Sequence, residues 1–140
     1  MRRVGLTVLV LAVTAAIAPV AAKVGIGTMS AADQATLWTR VDDWARADSL
    51  LEFCGTKMNI YKRGWAAVSP CVETPSLRKV GSMFRSKKSE YLRILEGNYN
   101  FAGKKQAFCD GFSPTLKEYA RIINASIAEA KGMCAVCLWC

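Results

Sequence analysis

The chain has 140 residues, 52% of them hydrophobic and 21% charged, and its 19 Lys and Arg outnumber 11 Asp and Glu for a net charge of +8 at neutral pH. It carries six cysteines and no histidine. That absence excludes Cys-His and Ser-His nucleophile pairs, imidazole metal sites and c-type haem attachment, and the length is that of one domain.

Residues 1–22 have the parts of an export signal: Arg2 and Arg3 as a positive start, an apolar run from Val4 to Ile17, and Val20 and Ala22 at the small-residue cleavage positions. An uncleaved anchor would need about 20 apolar residues, and Thr7, Thr14 and Pro19 punctuate a shorter run. The expectation is a cleaved signal peptide (1–22), a single helical domain (23–140), and a periplasmic or extracellular location.

Lys23 to Ser30 is short and without periodicity, and is expected to be a loose leader. Ser30 followed by Asp33 predicts a helix start, with Leu37, Val41 and Trp44 on one face and an end near Asp48. Ser49-Leu50-Leu51-Glu52 has the form of a capping box and predicts a second start. Beyond it Leu51, Cys54, Met58, Tyr61, Trp65 and Val68 recur at steps of three and four, with Gly55 tolerated inside the helix and Ser69-Pro70 ending it.

Thr74-Pro75 supplies a cap and a first-turn proline for a third helix with Leu77, Val80, Phe84, Tyr91 and Leu95 on its apolar face and Gly97 as its stop. Asn98 to Gly103 is expected to turn, after which Phe101, Phe108 and Phe112 line a short fourth helix around Cys109, and Ser113-Pro114 opens a fifth that ends at Gly132. No segment alternates in the manner of a strand. The predicted fold is all-α, a small irregular bundle of four to five helices with antiparallel neighbours, stapled by disulfides.

All six cysteines, Cys54, Cys71, Cys109, Cys134, Cys137 and Cys140, follow the signal segment. In an oxidising compartment an even set is read first as a disulfide framework, here with each of the three tail cysteines paired to one of the other three. The tail C-x-x-C-x-x-C also admits a redox or thiolate-metal reading. Against it stand the oxidising compartment, the position after a helix stop and the need for a fourth metal ligand.

From residue 23 onward there are 17 Lys and Arg against 11 Asp and Glu. The excess is concentrated: Lys57 to Lys105 carries 11 basic and three acidic residues, whereas Lys23 to Cys54 carries three basic and five acidic. Arg78, Lys79, Arg85, Lys87, Lys88 and Arg93 fall on the third helix and form the candidate contact surface for an anionic partner: an envelope protein, an anionic membrane surface or an acidic glycan. An exported protein is not expected to bind nucleic acid, and no motif assigns a cofactor, a metal or a catalytic residue. Asp42 and Asp43 are adjacent and diverge on a helix, which makes them poor acid/base partners. The expected function is therefore that of a small exported binding protein, with a thiol-active accessory protein using the C-terminal cysteines as the alternative.

Overall fold

The computed structural model describes residues 23–135. Every regular element among them is helical: a 3-10 turn at Ile26–Thr28, then α1 (Ala31–Phe53), α2 (Ile60–Val68), α3 (Thr74–Tyr99) and α4 (Lys104–Ala135). The expected signal peptide with its cleavage point, and Cys137, Trp139 and Cys140, lie outside the described residues.

The first helix starts where the sequence places it. Ser30 Oγ accepts from the Asp33 amide at 3.1 Å while its hydroxyl donates to the Asp33 carboxylate at 2.6 Å, so one residue satisfies a free donor and holds an acid at the positive end of the helix. It does not end at Asp48. Ser49 lies in mid-helix, wholly buried, where its hydroxyl donates to the Ala45 carbonyl one turn back and faces the Lys88 carbonyl of α3 at 3.2 Å. The capping-box pattern is overridden because a small polar residue is needed where α1 and α3 touch.

α1 ends instead at Gly55. Its φ of 90° is left-handed, the Thr56 amide donates to the Leu51 carbonyl at 2.8 Å, and the Gly55 amide donates to Glu52 at 3.0 Å. Those are the two hydrogen bonds of a Schellman motif, which satisfies the orphan carbonyls of the last turn. The apolar steps from Leu51 to Val68 thus run across a break, not along one helix.

α3 opens with Pro75 in its first turn, as expected, but Glu73 and not Thr74 stands at the N-cap position, without a side-chain capping bond, and the helix passes through Gly97 to Tyr99. The expected fourth and fifth helices are one. Pro114 sits inside α4, where it lacks the amide that would bond to the Asp110 carbonyl. Leu116, Ile123 and Ile127 hold the following turns against the core. Nor is the leader loose: the Val24 amide donates to the Cys71 carbonyl at 2.9 Å, the Glu73 amide to the Val24 carbonyl at 3.0 Å, and the buried Ile26 donates its amide to Ser76 Oγ at 2.9 Å.

Consecutive helices alternate in direction, so α1 and α3 run parallel. Lys79 meets Trp38, Lys87 meets Asp42 and Lys88 meets Glu52, the numbers rising together along both helices. One core joins the four: Val41, Ala45 and Leu51 from α1, Ile60 and Ala67 from α2, Phe84 from α3, and Ile123 and Ile127 from α4. Gly81 belongs to this packing, because a Cβ there would overlap the Tyr61 ring.

Candidate functional site

Two disulfides brace the bundle, Cys54–Cys109 and Cys71–Cys134, each with Cα atoms 5.5 Å apart. The second has the expected form, a tail cysteine tied back to the body. The first corrects the expectation that all three tail cysteines would do this, since it joins two cysteines outside the tail. The reason is the length of α4. Cys109 and Cys134 lie 25 residues apart on one helix, about 38 Å at 1.5 Å per residue, so Cys134 is remote from Cys54 and it is Cys109 that meets it. Gly55 does break the helix, the one condition that would let Cys54 and Cys71 meet, yet Cys54 is taken by Cys109.

The acidic first segment and the basic middle meet along the α1/α3 seam. Lys88 Nζ lies 2.6 Å from Asp48, whose carboxylate side chain is 3% exposed, and also pairs with Glu52. Burial works against the Lys88 charge, but the hydrogen bonds it donates to Asp48 and Glu52 outweigh it and hold its pKa above the usual lysine value. Lys87 pairs with Glu90 at 3.1 Å and reaches Asp42 at 4.0 Å, and chiefly the hydrogen bond it donates to Glu90 raises its pKa. Tyr91 donates its hydroxyl to Asp42 at 2.8 Å and accepts from Arg46 at 3.2 Å.

Of the six residues expected to meet an anionic partner, Lys87 and Lys88 are therefore placed in or beside the seam. Arg78, Arg85 and Arg93 are exposed and lie within an arc of about 80° on α3, at axial intervals of about 10 and 12 Å. Among the described residues none of the three has a carboxylate within 4 Å, in contrast to Arg46, Lys87, Lys88 and Arg121. Lys79 flanks the row with its ammonium 5.7 Å from the Trp38 ring, and Arg85 lies 5.1 Å from the Tyr61 ring. The steps of seven and eight residues that align the three arginines are readable in the sequence.

A feature the sequence does not foretell is the corner between α3 and α4. Tyr99 stacks on Phe108 at 4.2 Å, Phe108 meets Phe112 at 4.7 Å, and Phe53 closes on Phe108 edge-on at 6.0 Å. Phe101, expected to line the helix after a turn at Asn98 to Gly103, stands in the turn itself, before α4.

A groove of about 710 Å³ opens between the end of α1 and the first half of α4, beside the Cys54–Cys109 bridge, with Glu52, Lys105, Asp110 and Lys117 in its wall. Its charges are of both signs. Among the described residues no three Cys, Asp or Glu side chains form a metal-holding group, and no helix is long and apolar enough to cross a membrane. No known protein family, curated protein or solved structure matches the chain.

Proposed function

We propose that this chain is an exported, disulfide-braced binding protein whose outward arginine row on α3, Arg78, Arg85 and Arg93 with Lys79 at its side, engages an anionic partner. The observation that carries this is the division of labour among the basic residues. Lys87 and Lys88 are neutralised by α1 and by their own helix, while the three arginines face solvent in a line about 22 Å long. Such a line matches an extended partner: an acidic glycan, the acidic face of an envelope protein, or an anionic membrane surface. The export-signal pattern of residues 1–22 and the two disulfides support an oxidising destination.

The test is charge reversal of the row, R78E/R85E/R93E, with helicity followed by circular dichroism. Binding is measured on an acidic polysaccharide matrix, on vesicles containing phosphatidylglycerol, and by cross-linking to envelope proteins. The wild type is expected to bind in one of these, and the variant at least about tenfold more weakly at unchanged helicity. A wild type that binds in none, or a variant that binds equally well, overturns the proposal.

One observation favours a second, thiol-based reading. The two bridges consume Cys134 and three other cysteines, so the remaining C-x-x-C is Cys137-Leu-Trp-Cys140, which lies outside the described residues. Alkylation of the native protein decides it. Two labelled thiols support a dithiol function, and labelling only after reduction removes it.

A further inference from the structure

We infer that the corner between α3 and α4 is a contact tip for an anionic lipid bilayer, distinct from the arginine row. Phe101 is 61% exposed and Phe112 41% exposed. Phe101 stands in a tight turn whose carbonyl accepts from the Lys104 amide at 3.1 Å and whose Gly103 takes a φ of 76°. This left-handed residue fixes the direction in which the turn projects. Behind the two phenylalanines, Tyr99, Phe108 and Phe53 form a packed aromatic base, and the Cys54–Cys109 bridge ties that base to the end of α1. The exposed rings are thus mounted on a rigid support.

Cations lie beside Phe101 and the aromatic base. Lys104 Nζ lies 5.5 Å from the Tyr99 ring and 5.7 Å from the Phe101 ring, and Lys105 Nζ lies 4.5 Å from the Phe53 ring. Among the described residues neither ammonium has a carboxylate within 4 Å, unlike Lys87 and Lys88. Lys57 lines the same end of the bundle beside Lys105 and Glu96, and Asp110 is engaged by Gln106 at 2.8 Å. Exposed aromatic rings flanked by unpaired lysines fit the bilayer interface, where rings enter the acyl boundary and ammonium groups meet phosphates.

A second copy of the chain is a poorer occupant. A twofold contact through this corner would set Lys104 and Lys105 against themselves, and like charges in apposition oppose it. A small ligand is also a poor fit, because Phe101 projects from a turn at the end of the bundle and does not line a cavity.

The chain from Lys23 onward, which contains every described element, is sedimented with vesicles of phosphatidylglycerol and phosphatidylcholine in equal parts, and with phosphatidylcholine alone. Sedimentation with the anionic vesicles is expected. It should fall at least about tenfold in F101S and F101S/F112S, since each exposed ring contributes apolar burial, and fall also in K104E/K105E. Both rings are exposed, so the fold should survive. A Trp at position 101 (Phe101→Trp) should in addition be quenched by lipids brominated in their acyl chains more strongly than the wild-type tryptophans are. Undiminished sedimentation of F101S/F112S overturns the inference, as does a wild-type dimer that F101S dissolves. R78E/R85E/R93E in the same assay separates the two surfaces: vesicle binding lost there and kept in F101S/F112S refutes the tip while leaving the arginine row in place.

Discussion

Lys88 shows how far one side chain's role depends on what faces it. In sequence it is one of six bases on a helix; in the fold it neutralises Asp48, whose side chain is 3% exposed. Lys88→Ala should destabilise the protein by about 2 kcal/mol in urea unfolding, because it leaves a buried carboxylate without its partner. The double change Asp48→Asn with Lys88→Met should recover most of that loss, since the charge is removed together with its partner. Lys87→Ala, at an exposed pair, should leave the unfolding midpoint unchanged. The pH dependence has a definite sign. Lys88 has a raised pKa in the folded state, so its contribution is fully present below the unfolded value of about 10.4 and is lost as pH rises through the folded value. Stability measured across that alkaline window should fall more steeply in the wild type than in the Lys88→Ala variant.

Helix boundaries are where local pattern and tertiary structure compete, and Gly55 separates the two by sign. Inside a helix, as the apolar steps from Leu51 to Val68 imply, Gly55→Ala would stabilise by about 1 kcal/mol. At the left-handed position that ends α1, the same change should destabilise by about 1 kcal/mol or more. Equilibrium unfolding of that one variant distinguishes these outcomes. The same competition explains what was legible in the chain. The Ser30 cap, the Pro75 first turn and the faces of α1 and α3 depend on neighbours three or four residues away, so they could be read. Ser49 and Pro114 carry valid local start signals that packing cancels, in one case by burial against α3 and in the other by a core face continuing along α4. The leader could not be read because its hydrogen bonds go to Cys71, Glu73 and Ser76, some 50 residues on. On the candidate surface, residue type and helix were legible. The division into a paired seam and an outward row was not, because it depends on α1 lying parallel to α3.

For the molecule as a whole, α4 is the element that most needs the cysteines. It packs mainly on the short α2 and less on α1 and α3, and a bridge holds it near each end, at Cys109 and at Cys134. With sequence separations of 55 and 63 between the joined positions, each bridge removes chain entropy from the unfolded state equivalent to about 4 kcal/mol in the loop-closure treatment. Reduction should therefore release α4 before the α1/α3 pair, seen as faster amide exchange along α4 while α1 and α3 stay protected. The corner depends on this bracing, because Cys54–Cys109 ties the start of α4 to the end of α1, whereas the arginine row stands on α3, which packs chiefly on α1. The most direct test is disulfide mapping of the oxidised protein by proteolysis and mass spectrometry without reduction. Cross-linked peptides joining Cys54 to Cys109 and Cys71 to Cys134 are the predicted result; a peptide joining Cys54 to Cys71, or Cys54 to any tail cysteine, would contradict the account.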